Sequence, residues 1–145
     1  MRAEINFINE KVKFRLTGRK QLKQWIRATI EMEKQALGTI CYIFCSDQYL
    51  LEINKNYLNH NYYTDILTFD YSESLTKNKE KRICGDMYIS IDRIKENAAS
   101  RSIPFETELK RVMIHGVLHL IGYKDKKLLD KKEMRRKENL YLESL

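Results

Sequence analysis

His115 and His119 stand four residues apart in an apolar run that extends from Ile114 to Gly122. In a helix, residues at i and i+4 share one face, so two imidazoles would point to one spot. This is the pair spacing of helix-borne zinc sites. Gly122 can take the left-handed backbone that ends a helix. Three residues on, Asp125 offers a carboxylate that such a turn could return to the histidines. Two His and one carboxylate, with a fourth position for water, form a known catalytic zinc set. On spacing alone, a metal site and a pair of hydrogen-bonded core histidines both remain open. The chain has three histidines, and the pairing of two of them beside a glycine turn and an acid motivates the metal reading.

Helix-borne zinc proteases carry Glu after the first His, as general base. Here that position is Gly116. Glycine takes no proton, and it costs a helix about 1 kcal/mol relative to Ala. Close packing or access to a metal must account for it. The substitution disfavours a metallopeptidase. A metal-bound water remains the candidate reacting group, because zinc lowers its pKa to about 7 in favourable sites.

These residues need a scaffold, and the chain is long enough to supply one. At 145 residues it is expected to form a single domain, 1–145, with a real core. With 43% hydrophobic and 32% charged residues it reads as a soluble globular protein. The net charge of +7, from 27 basic and 20 acidic residues, favours a polyanionic partner, nucleic acid ahead of a membrane surface. Cys41, Cys45 and Cys84 are odd in number and lack a Cys-x-x-Cys pair, which fits a reducing cytoplasm better than a disulfide framework. No secretory signal or membrane-length apolar run is visible.

The periodicities predict the order β-α-β-α-β-β-α-α-α. Strands are expected at Glu4 to Ile8, Thr39 to Cys45, Asp65 to Tyr71 and Ile83 to Ile91. A helix is expected from Lys20 to Leu37, with Gly38 just past its end. A second starts after Ser46 as N-cap and ends near Tyr57. Ser72 to Arg82 reads as an exposed loop, and His60 as another loop residue. Asp92 could cap a short helix to Arg101, and Pro104 suits the first turn of the helix that carries the histidines. The tail from Lys127 reads as a final, strongly basic helix. The fold class is therefore α+β or α/β, and we take α+β: one four-stranded mixed sheet, about five helices, and a metal site at the end of a central helix.

Three stretches resemble the YbeY family of bacterial metal-dependent endoribonucleases. His115 to Tyr123 is similar to that family's signature, including Gly where proteases have Glu. Asn54-Lys-Asn-Tyr57, followed by Thr64-Asp-Ile-Leu-Thr-Phe69, is similar to its substrate-cleft strand. Gly85-Asp-Met87 is similar to a segment that opens a strand before the helical half. The matches keep the family order and span most of the chain.

The resemblance implies that His115, His119 and Asp125 hold one metal ion per chain, zinc first. The family's signature usually ends in a third His, and Asp125 occupies that position. Zinc accepts carboxylate oxygen at about the same distance as imidazole nitrogen. The added charge should make a bound water less acidic and move preference toward harder ions such as manganese. Lys124 stands where the family has an acid. Leu58 stands where the family commonly has an Arg thought to engage RNA phosphate. Lys55, Arg82, Lys124 and Lys126 are the candidate replacements. The resemblance also implies single-stranded ribosomal RNA as substrate, maturation near the three-prime end of the small-subunit RNA, and ribosome quality control. Leu58 and the lack of an obvious general base leave open a second class, a non-catalytic ribosome assembly factor with a structural or vestigial metal. Asp65 is read equally as a turn cap or a residue near the metal, and Asp86 as a strand start. Tyr57, Tyr62 and Tyr63 could stack bases, although such tyrosines are more often part of a wet core edge.

Overall fold

Alternation in the first strand places Ile5 and Phe7 inward, and the rest of the sheet repeats that logic. The computed structural model describes residues 3–75 and 80–145. In chain order the elements are β1 (Glu4–Asn9), α1 (Arg19–Met32), β2 (Ala36–Cys45), α2 (Asp47–Leu58), β3 (Ile66–Asp70), β4 (Glu73–Ser74), β5 (Lys81–Ser90), α3 (Ile91–Arg101), α4 (Phe105–Ile121) and α5 (Leu128–Glu143). The expected α+β class with a mixed sheet and five helices is what forms. The sheet order is β1-β2-β5-β3, with β4 pairing β5. β1, β2 and β5 are parallel, while β3 and β4 run antiparallel to β5.

Four expectations are corrected. The first helix ends at Met32, because Lys34 takes a left-handed φ of 63° and turns the chain. Leu37 and Gly38 belong to β2 instead. Gly38 is needed there for close approach, since a Cβ would stand 2.3 Å from Cys84 Sγ. The expected loop at 72–82 carries β4 and the start of β5, giving a fifth, two-residue strand, while 76–79 lie outside the described residues. α3 is capped by Ser90, whose Oγ accepts from Arg93 N at 3.1 Å. Asp92 instead accepts from Asp47 N at 2.9 Å, at the start of α2. Finally, Gly85 lies inside β5 rather than at its opening. A Cβ there would meet Phe69 O at 2.6 Å and Leu120 Cδ2 at 2.9 Å, so glycine lets α4 close over the strand.

The core sits between the sheet and α1, α3 and α4. Ile26, Ile40, Phe44, Met87, Ile94, Met113 and Val117 belong to it, each contributing about 1.5–3 kcal/mol by leaving water. α4 is covered on most of its circumference, as a central helix must be. Tyr42 Oη donates to Met113 O at 3.0 Å and ties α4 to β2. Trp25 Nε1 donates to Tyr141 O at 2.8 Å and ties α5 to α1. No helix among the described residues is long and apolar enough to cross a membrane.

Candidate metal centre

The last two turns of α4 present both histidines on one side. Their ring centroids are 4.5 Å apart and nearly perpendicular. Gly122, at φ 126°, ends the helix, and its N–H bonds Leu118 O and His119 O. The chain then doubles back, and Asp125 Oδ2 lies 3.3 Å from His115 Nε2 and 3.2 Å from His119 Nε2. One ligand-type atom from each residue lies within 4.8 Å of the others. This brings His115, His119 and Asp125 together.

The other ring nitrogens are occupied. His115 Nδ1 is 2.7 Å from Glu138 Oε2, and His119 Nδ1 is 3.0 Å from Tyr123 O. With Nδ1–H donated to these acceptors, each Nε2 keeps its lone pair for a cation. This is how metal-ligating histidines are commonly oriented. The donor set, two imidazole nitrogens and a carboxylate oxygen, fits zinc or a neighbouring divalent ion.

Electrostatics follow from burial and these pairs. Burial opposes charge on the His115 ring, but Glu138, Asp125 and Asp65 outweigh it and hold its pKa above the ordinary value. Burial raises the Glu138 carboxyl, yet the bond with His115 and the Arg111 guanidinium, 3.1 Å away, bring it below the usual carboxylate range. Asp65 precedes β3, and its carbonyl accepts from Ser90 N at 3.0 Å. Burial pushes its carboxyl upward, against the opposing influence of His115 and of nearby backbone N–H groups.

The cluster opens into a cleft of about 530 Å³. One wall is the run from Thr64 to Thr68 along β3, and Asn54, Leu58, His60 and Tyr62 line another part. Of the four cation candidates, Lys126 lines the cleft, whereas Lys55, Arg82 and Lys124 are not among its lining residues. Arg82 faces Glu73, 3.8 Å away across the β4–β5 pair. Lys55 and Lys124 are exposed. His60 and Tyr62 stack at 5.2 Å between ring centroids. Tyr63 lies under the Arg93 guanidinium, and Tyr57 packs edge-on to Phe69. Asp86 sits mid-strand, opposite Cys41 and Phe69.

Gly116 is explained by packing. A Cβ would stand 2.4 Å from Met87 Sδ and 2.8 Å from Ile66 Cδ1, so glycine lets the histidine-bearing turn lie against β5 and β3. Glu138 escaped the reading of the sequence because it sits among basic residues. Its position between Met134 and Tyr141 on the buried stripe of α5 was the available signal. Glu33, which accepts from Tyr123 Oη at 2.5 Å and Lys137 Nζ at 2.9 Å, left no comparable trace.

The comparisons with known proteins agree along the length of the chain. A family model described as Endoribonuclease YbeY matches residues 4–145. The chain is 49% identical over 131 residues to Endoribonuclease YbeY of Flavobacterium psychrophilum, covering 90% of this chain and 89% of that one. It is 46% identical over 138 residues to Endoribonuclease YbeY of Cytophaga hutchinsonii, covering 95% and 93% respectively. In structure it is similar to TM1509 from Thermotoga maritima, solved in solution, with a TM-score of 0.64 and 28% identity over 97% of this chain and 87% of that one. From its first strand to its last residue, the chain belongs to the YbeY family.

Proposed function

We propose that this protein is a metal-dependent endoribonuclease acting on single-stranded ribosomal RNA, with His115, His119 and Asp125 as ligands of one zinc ion. Family membership supports the reaction class. The observation that carries the metal reading is the convergence of two Nε2 atoms and Asp125 Oδ2 within 4.8 Å at the edge of a cleft. A divalent ion held by His115, His119 and Asp125 would supply Lewis acidity toward a phosphodiester and would lower the pKa of water. The chain's own residues do the rest. Glu138 and the Tyr123 carbonyl hold the two rings in the ligating tautomer. Lys126 supplies positive charge at the cleft wall. Tyr62, stacked on His60, offers an aromatic face to an unpaired base. Maturation of small-subunit RNA in the cytoplasm and ribosome quality control are the biological setting of this reading.

The test is elemental mass spectrometry on untagged protein, beside ribonuclease assays on single-stranded RNA. Wild type should carry about one zinc or other transition ion per chain, while His119→Ala and Asp125→Ala lose both metal and cleavage. RNA maturation that survives the loss of metal would instead support the assembly-factor reading, which Leu58 at the cleft wall favours.

A further inference from the structure

The cleft is poor in the charge that an RNA backbone needs. Among its described lining residues Lys126 is the lone lysine or arginine, beside Asp65, Asp70 and Asp125, and apolar Leu58. A second hollow of about 130 Å³ lies against it, and the two share Asp65 and His115. Three helices each bring one guanidinium to this hollow: Arg101 ends α3, Arg111 lies on α4 and Arg135 on α5.

The hollow also contains acids, and their placement matters. Glu108 and Glu138 are 0% and 5% exposed. Arg101 Nη1 is 2.6 Å from Glu108, Arg111 Nη1 is 3.1 Å from Glu138, and Arg135 Nε is 4.0 Å from Glu138. Arg111 Nη1 also donates to Asn139 Oδ1 at 3.1 Å. Glu108 and Glu138 are thus sunk below, and the third acid, Asp65, is partly buried at the wall shared with the cleft. The side chains of Arg101 and Arg135, by contrast, are 47% and 55% exposed. Each contact uses one nitrogen of a guanidinium with five N–H donors. Glu108 holds Arg101 and Glu138 holds Arg111, while among the described residues Arg135 is tethered only by charge, at 4.0 Å. The outer edges of Arg101 and Arg135 stay toward solvent. The buried Glu108 and Glu138 each require a countercharge, which Arg101 and Arg111 supply. Arg135, 55% exposed and 4.0 Å from Glu138, exceeds that need and leaves the hollow a guanidinium to spare beside the metal ligands. Planar, partly desolvated forks suit the bidentate recognition of phosphate.

We infer that this hollow is a phosphate subsite, in which Arg101 and Arg135, supported by Arg111, grip the RNA backbone next to the bond held at the metal cluster. The inference rests on the RNA reading above. It assigns the missing cation to the far side of His115 rather than to the helix that carries Leu58.

The experiment measures kcat and KM of the zinc-loaded protein on a fluorogenic single-stranded RNA across a series of KCl concentrations. Arg101→Gln, Arg135→Gln and Arg135→Lys are compared with wild type, with Lys20→Gln on α1 as a distant control. Each Gln variant should raise KM about tenfold, the loss of one charged hydrogen bond. It should lower the slope of log KM against log salt by about 0.7, one phosphate contact on a single strand. kcat and zinc content should stay near wild type in both Gln variants. Arg135→Gln should also keep the wild-type melting temperature, whereas Arg101→Gln should lower it, because Glu108 stays buried without its ion partner. Arg135→Gln, with Arg135→Lys, which should recover most of the slope, therefore carries the test. Slopes and KM values equal to wild type in both Gln variants would overturn the subsite and leave the nuclease reading standing. A zinc-loaded wild type that cleaves no RNA would overturn both.

Discussion

At the scale of single residues, the two histidines depend on acceptors that never touch the metal position. Glu138 Oε2, 2.7 Å from His115 Nδ1, fixes the tautomer that leaves Nε2 available. Glu138→Gln keeps the shape but removes the charge, and zinc affinity should fall about 10–100-fold, read by competition with a chromogenic chelator. Unchanged affinity would remove Glu138 from the centre. Glu33 acts one step further out. It accepts from Tyr123 Oη, and the Tyr123 carbonyl in turn lies 3.0 Å from His119 Nδ1. It also accepts from Lys137 Nζ at 2.9 Å and from Tyr141 Oη. Glu33→Ala strands those donors and should cost about 1.5–3 kcal/mol of stability, measured by urea unfolding of the metal-free protein.

At the scale of elements, α4 and its closing turn carry the centre, and Gly116 is the point where α4 meets the sheet. Gly116→Ala gains about 1 kcal/mol in helix propensity. Against this, the new methyl meets Met87, which is fully buried, and Ile66, which lines the cleft. Overpacking of this kind costs about 1–3 kcal/mol, so the net effect should be a loss. A lowered urea midpoint checks it, and a raised one would mean that the neighbours repack freely. This helix was legible in the sequence because its histidine spacing, apolar run and terminal glycine all agree. The end of α1 was not. Leu37 fits a helical stripe and a buried strand equally well, and Gly38 looks like a helix stop until Cys84 is placed across from it. The α3 cap went to Ser90 rather than Asp92 because Asp92 is drawn to the start of α2, a partner 45 residues away. The triad could be found from local spacing, whereas its supporting residues lie on other elements. Glu138 comes from α5, and the arginine hollow from three helices at once. Such groupings depend on how helices pack, which periodicity does not encode.

At the scale of the whole molecule, a net charge of +7 suits an anionic polymer but leaves the compact state dependent on well-placed acids. One buried and one partly buried carboxylate lock α5 in place from opposite ends of the network. Glu33 on the α1 side holds Lys137 and Tyr141, and Glu138 on α5 holds His115 and Arg111. For Glu33, burial raises the carboxyl, but the bonds from Tyr123, Tyr141 and Lys137 together leave it below its ordinary value of 4.5. Glu138 is also held below 4.5. A lowered folded-state pKa means that, as pH falls, the unfolded chain takes up the proton first. The stability these groups contribute is therefore fully present above the unfolded value of 4.5. It is lost as pH falls through the lower folded-state values. Metal-free protein should accordingly lose urea resistance steeply below that point, and α5 amides should lose hydrogen-exchange protection ahead of the β2–β5 core. Glu33→Gln should start less stable at neutral pH and show a flatter acid limb, because one of the two titrating locks is already gone. A wild-type curve that stays level through this range, or a variant curve parallel to it, would mean that α5 is held by its apolar face alone. Because α5 also carries Arg135 and Glu138, loosening it in acid should weaken zinc binding beyond what protonation of the ligands themselves produces. Glu33→Gln, which loosens α5 already at neutral pH, should therefore bind zinc more weakly than wild type there, read by competition with the same chromogenic chelator. Equal affinities would mean that the hold of Glu33 on α5 does not reach the ligands.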